Sequence, residues 1–182
     1  MVDVDKLVAK EFLKANHIQR DCRFDLAIGL MLEGELVSVL AVSKKKTWEI
    51  VRFCSKVDTS VVGGFSKLIK HLQKTWPNQE FITYSDCRYS GVVHEDTVYS
   101  KCGFEFLRQI KPRYWYFKKG DYNRRYHRFA FNKQKLIKMH KEVYENWMTE
   151  WDLAMSLGMD RIWDCGNLVF KLKQKPLSTR SQ

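Results

Sequence analysis

Residues 81–104, FITYSDCRYSGVVHEDTVYSKCGF, carry more structural information than any other stretch of this chain. Phe81 and Thr83 alternate with Ile82 and Tyr84 in the period-2 pattern of a short strand. The strand runs into a polar loop with Asp86, Arg88 and His94, then a short helical piece around Tyr99, then Gly103-Phe104. Open α/β sheets usually hold their ligands where strands end in ionisable side chains of this kind. The segment therefore sets the fold class and marks the first place to look for chemistry.

Toward the N-terminus, residues 5–16 place Leu7, Val8, Phe12 and Leu13 at helical spacing and predict an amphipathic helix. Residues 26–32 and 36–42 are apolar runs separated by Glu33-Gly34-Glu35, which reads as a hairpin. After Lys44-Lys45-Lys46, residues 48–54 give a third strand. Gly63-Gly64 then precedes a helix over residues 67–75, with Leu68, Ile69 and Leu72 on one face and Trp76-Pro77-Asn78 as its stop. Toward the C-terminus, residues 114–117 read as a strand and residues 131–155 as a long polar helix. Residues 160–170 form another strand-like stretch, and residues 171–182 a loose tail. This order predicts a mixed, mainly antiparallel sheet flanked by helices. The expected division is a core over residues 1–119 and a basic, helical C-terminal extension over residues 120–182, packing on that core.

At 182 residues and 45% hydrophobic, the chain has enough apolar material to bury a core. No apolar run approaches the ~20 residues that cross a bilayer, and the N-terminus lacks the features of a signal peptide; a cytoplasmic protein with no membrane partner is expected. Five scattered cysteines without a Cys-x-x-Cys pair argue against a disulfide framework or a zinc ribbon. The five histidines supply no paired ligand spacing, so no metal is expected.

The net charge is +11, and residues 106–146 hold 12 Lys and Arg against 3 Asp and Glu, about +9. Such a block draws in polyanions and makes salt-dependent phosphate contacts. Here cations alternate with aromatics: Arg113-Tyr114-Trp115-Tyr116-Phe117-Lys118-Lys119, then Tyr122, Arg124, Arg125, Tyr126, Arg128 and Phe129. Rings beside cations suit exposed or flipped bases. DNA is the expected partner, with Arg52, Arg88, Arg113, Arg124, Arg125 and Arg128 as candidate phosphate contacts. The oligomeric state is not legible.

Gly63-Gly64 lies between a strand and a helix start. Backbone N–H groups there make an anion pocket, favoured by the helix dipole; a plain tight turn needing positive φ is the other reading. The order of the elements, with Gly64-Phe65-Ser66-Lys67-Leu68-Ile69, Tyr84-Ser85-Asp86 and Tyr99-x-x-x-Gly103-Phe104, resembles the GNAT-type acyltransferases. More narrowly, residues 12–104 resemble the phage Mom-type DNA modification proteins through Asn16-His17, Gly34-Glu35-Leu36-Val37, Glu49, Arg52-Phe53-Cys54, Ser66 and Tyr84-Ser85-Asp86 with Tyr99. Residues 84–90, the Arg113-Tyr114-Trp115-Tyr116 run and Arg161-Ile162-Trp163-Asp164-Cys165-Gly166-Asn167 are also similar to a domain that follows the nuclease in phage homing-endonuclease-like proteins.

The resemblance implies that Gly63, Gly64, Phe65, Ser66 and Lys67 hold an acyl donor and that Tyr99 protonates the leaving group. The usual acyl-CoA loop begins with Gln or Arg and ends in Gly or Ala, whereas Val61 and Ser66 stand here. The donor is thus an activated acyl compound of unknown identity, acetyl-CoA among the possibilities. Asp86 orients or deprotonates the acceptor amine, or caps the following turn. Ser66 binds the donor or caps its helix. His17 is a participant or a structural histidine. Strand alternation sets Glu49 and Arg52 on opposite faces. Asp164, Cys165 and Asn167 form a polar turn with no assigned chemistry.

The function implied is transfer of a small acyl-type group to the exocyclic amine of a DNA base, adenine foremost, protecting phage DNA from restriction. A paired base hides that amine and would have to be flipped out. The alternatives are a non-catalytic DNA-binding module and an N-acetyltransferase acting on a small molecule or protein.

Overall fold

A computed structural model describes residues 1–172. In chain order its elements are β1 (Val2–Asp3), α1 (Lys6–Asn16), β2 (Leu26–Leu32), β3 (Glu35–Lys44), β4 (Trp48–Ser55), α2 (Gly64–Thr75), β5 (Phe81–Asp86), α3 (Cys87–Ser90), α4 (Val98–Lys101) and β6 (Phe104–Ile110). There follow β7 (Tyr114–Lys118), β8 (Asp121–His127), α5 (Lys133–Met139), α6 (Glu150–Ser156), β9 (Met159–Trp163) and β10 (Asn167–Leu172). The chain divides into two compact units, residues 1–109 with 168–172, and Ile110–Asn167.

In the first unit, seven strands among the described residues form one sheet, ordered β1-β2-β3-β4-β5-β10-β6. The pairs from β1 to β4 are antiparallel, and β4 with β5 is parallel. The expected hairpin is β2–β3: Glu33 and Gly34 both take positive φ, 49° and 83°, as a tight hairpin turn requires. β3 is buried along almost its whole length because both faces of the sheet are covered. On one face α1 contributes Ala9 and Leu13 to a cluster with Phe24, Val39 and Ala41. Asp5 caps this helix, accepting from the N–H groups of Leu7 and Val8. On the other face α2 contributes Phe65, Leu68, Ile69 and Leu72 to a cluster with Leu40, Ile50, Phe81 and Phe170.

The second unit is an insertion between β6 and β10. Its sheet runs β8-β7-β9, and Tyr116, Leu136, Leu153, Ala154 and Met159 form its core. Asp164 closes its ends: its N–H donates to the Arg113 carbonyl at 2.8 Å, and its Oδ1 accepts from the N–H of Arg113 and Gly166 at 2.8 and 2.9 Å. Glycine is required at 166, where φ is +78° and a Cβ would lie 2.4 Å from the Ile110 carbonyl oxygen. The polar turn read in the sequence is thus a clamp.

Three expectations are corrected. The long helix over residues 131–155 is replaced by the short α5 and α6, because Thr149 starts a new helix with a capping box to Asp152. A boundary at 119/120 would cut the β7–β8 hairpin, because the second sheet, β8-β7-β9, has strands on both sides of it. Of the expected tail, Lys171 and Leu172 belong to β10, while residues 173–182 lie outside the described residues. Among the described residues, no helix is long and apolar enough to cross a membrane.

Candidate functional site

β4 and β5 run together only as far as Ile50↔Thr83, then part. Trp48 pins the joined end, 5.7 Å from both Phe81 and Trp76. Beyond Ile50, the edge of β4 that faces β5 has no partner in that ladder. At the fork, the Thr83 hydroxyl donates to the Ile50 carbonyl at 3.0 Å.

Just past the fork, β4 carries a bulge. Ala41 pairs with Arg52 and Val42 with Ile50, so Val51 is the extra residue. Ile50 and Phe53 pack toward α2, while Val51 and Cys54 pack toward α1. The bulge also turns Arg52 to the α1 side, where its Nε donates to the Arg20 carbonyl at 3.2 Å. Glu49 reaches that side too, since both Arg52 and Glu49 act on the Cys22 thiol. The expectation of opposite faces fails because the extra residue breaks the strict alternation.

Tyr99, on α4, packs under the fork. Its ring lies 5.5, 5.6 and 5.2 Å from those of Phe65, Phe104 and Phe170. Burial pushes its phenol above the usual tyrosine range, with the facing Thr83 hydroxyl acting in the opposite sense. Tyr99 therefore keeps its proton at neutral pH.

Gly63 enters α2 at φ +70°, and no side chain caps the helix. The Gly64 N–H is engaged with the Val61 carbonyl at 3.0 Å. The first-turn N–H groups of Phe65 and Ser66 have no intrahelical acceptor, as helix geometry dictates. The Phe65 side chain is core, 4.9 Å from Phe53, and Lys67 is exposed on the first turn. The Ser66 hydroxyl donates back to the Gly63 carbonyl at 2.9 Å, so it neither caps α2 nor projects from the turn.

Asp86 accepts from the Arg88 N–H at 2.9 Å and caps α3. Strand alternation places it with Ile82 and Tyr84, on the face of β5 opposite Phe81 and Thr83. The structure does not bring Asp86 and Tyr99 together on one face. His17 ends α1; burial, then the Arg52 charge, lower its pKa to about 4. Arg52 therefore belongs with His17 and Arg20. Arg88 is exposed on α3, and Arg113, Arg124, Arg125 and Arg128 are exposed in the second unit. There Arg124 lies over Tyr126 at 4.9 Å and Arg128 over Phe129 at 5.1 Å.

Sequence reasoning missed Thr83 and the Val51 bulge. The signal for Thr83 was present: it follows Phe81 on the inward parity, a polar residue where the strand needs an apolar one. Burial raises the Cys54 thiol to about 11 and also raises those of Cys22 and Cys102, which removes thiolate character. Among the described residues, no three His, Cys, Asp or Glu side chains cluster to hold a metal.

No protein-family model and no curated protein sequence matches the chain. Solved structures do. The ribosomal-protein-S18-alanine N-acetyltransferase from Escherichia coli shares 8% identity, with 100% of this chain and 97% of that one covered and a TM-score of 0.53. A GNAT family acetyltransferase from Elizabethkingia anophelis with acetyl-CoA bound shares 13% over 93% and 83% of the two chains, at a TM-score of 0.47. A Bacillus subtilis acetyltransferase in complex with CoA shares 16% over 92% and 83%, at 0.44. With the strand order and the forked parallel pair, the first of these likenesses shows that the chain has the fold of the GNAT acetyltransferases.

Proposed function

We propose that this chain transfers an acyl group from an acyl-CoA-type donor to an amine. The observation that carries the reading is the β4–β5 fork, with an unpaired strand edge on one side and the protonated Tyr99 phenol beneath it. The donor fits features of this chain: α2 begins at a glycine turn without a side-chain cap, and its first-turn N–H groups and Lys67 suit a phosphate. A bound acyl thioester supplies an activated carbonyl and a thiol leaving group. The open β4 edge receives an extended pantetheine-like arm by backbone hydrogen bonds, and Tyr99 gives its proton to the departing sulfur. The amine's proton passes to solvent, since Asp86, on the opposite face of β5, and His17, at the end of α1, do not share the face of Tyr99. Ser66 serves by shaping the turn, through its bond to Gly63.

For the acceptor, the exposed arginines and rings of the second unit favour the exocyclic amine of a DNA base, adenine foremost. The phage Mom-type resemblance gives this modification its purpose, protection from restriction. A small-molecule or protein amine fits the fork equally well.

Calorimetric titration with acetyl-CoA, and mass spectrometry of nucleosides from cells making the protein, test the two levels separately. Acetyl-CoA binding that Gly63→Val abolishes supports the donor site, since a β-branched residue opposes φ +70°. No binding of any acyl-CoA would sink it. A new adenine mass, lost with Tyr99→Phe, supports the DNA acceptor; unmodified DNA alongside an active donor site returns the choice to other amines.

A further inference from the structure

The sheet of the second unit has two unlike faces. One carries Tyr116 and Met159 into the core with Leu136 of α5 and Leu153 of α6. The other carries Trp115 and His127, which are direct cross-strand partners, with Phe117 and Ile162 in step beside them. Rings on this second face touch in series: Trp115 and His127 at 5.0 Å, His127 and Phe129 at 4.9 Å, and Phe117 and Tyr122 at 5.7 Å. Tyr122 is 73% exposed, Phe129 61% and Trp115 37%. An apolar row of this size on a surface marks an interaction site.

The charge around it says what kind. Residues 118–128 hold five cations, Lys118, Lys119, Arg124, Arg125 and Arg128, against one acid, Asp121. The other carboxylate in step with this face, Asp160, is answered by Lys119 at 4.0 Å. An apolar protein partner would have to sit beside this excess of cations. A polyanion with flat apolar groups satisfies both halves of the surface.

We propose that this face binds single-stranded nucleic acid. Unpaired bases stack on Trp115, His127 and Phe129, and backbone phosphates meet Arg125, in step with His127 on β8, and Arg128, whose guanidinium lies over Phe129 at 5.1 Å and over Tyr114, on the core side, at 5.8 Å. A base inside a duplex already has both faces covered by its neighbours, so rings exposed on an open sheet select strands whose bases are free. Nothing in this inference uses the acyl-transfer fork. It rests on the same arginines and rings that favour a DNA acceptor, whereas donor binding at the fork stands or fails without it.

The test is fluorescence anisotropy of a fluorescein-labelled 15-nucleotide oligo(dT) with the intact protein, at salt from 50 to 200 mM, about the range over which such contacts respond. Expected are tighter binding of the single strand than of a duplex of equal length, and a loss of about tenfold or more in the double variant Trp115→Ala/Phe129→Ala. Trp115→Phe, which keeps a ring, retains binding and serves as the folding control. Arg125→Ala lowers the slope of log affinity against log salt by about 0.7. Duplex binding as tight as the single strand, or a double variant that binds like the parent, overturns the proposal. Acetyl-CoA titration of the same variants is expected to be unchanged.

Discussion

Removing one oxygen atom, by Tyr99→Phe, probes the fork most sharply. The ring neighbours Phe65, Phe104 and Phe170 lie 5.2 to 5.6 Å away and all remain. Thr83 keeps its 3.0 Å bond to the Ile50 carbonyl. What is lost is the interaction of one phenol with one hydroxyl, about 0.5–1.5 kcal/mol, and a melting shift of about 2–4 °C per kcal/mol for a chain of this size. Activity has more to lose. Loss of a positioned general acid costs about 10²–10⁴ in rate, and phenylalanine has no proton to give. The sign of the pH effect follows from the raised phenol: the acid form is present below its pKa, so turnover falls as pH rises through a point above the usual tyrosine range. The assay is thiol release from acetyl-CoA, followed from pH 7 to 11, with an oligonucleotide or simple amine as acceptor. Turnover in Tyr99→Phe within about twofold of the parent, with the alkaline fall intact, would refute the assignment.

Other perturbations address the frame. Gly166→Ala forces a side chain into φ +78° and to within 2.4 Å of the Ile110 carbonyl oxygen; it should destabilise by at least about 2 kcal/mol in denaturant titration. Arg161 lies 4.3 Å from Tyr114 and 4.4 Å from Trp151, donates to the Tyr116 hydroxyl at 2.7 Å, and faces Glu150 at 3.7 Å. Arg161→Ala leaves Glu150 half-buried without its cation and should cost about 2–4 kcal/mol by chemical unfolding. His17 binds a proton near pH 6.5 unfolded but only near 4 when folded. Its contribution is therefore present above 6.5 and lost as pH falls through 4, about 1–2 kcal/mol after allowing for solvent screening. Urea midpoints of His17→Gln should show a correspondingly shallower decline between those pH values.

Where a signal was local, the residues stated it. Glu33-Gly34 announced its hairpin because two consecutive positive-φ positions suit few other sequences. The apolar spacing of Leu68, Ile69 and Leu72 defined α2 by its own period. The alternation of Phe81 and Thr83 with Ile82 and Tyr84 defined β5. From such pieces the fold class and the short helix that carries Tyr99 were both legible.

Pairing at a distance was not. β10 enters the sheet between β5 and β6 after the chain has built a whole second unit, and no local pattern encodes a neighbour so remote. Val51 looks like any strand residue; only its register against Ala41 and Val42 makes it a bulge that turns Arg52 toward His17. Asp86 sits one residue out of step with Thr83 on the same strand, which side-chain alternation converts into the opposite face of a sheet. Composition along the chain determined that aromatic and cationic residues would be interleaved from 113 to 129. Which rings became the core beneath α5 and α6, and which stayed on the open face, was decided by strand pairing, because the pleat alone assigns each residue its side.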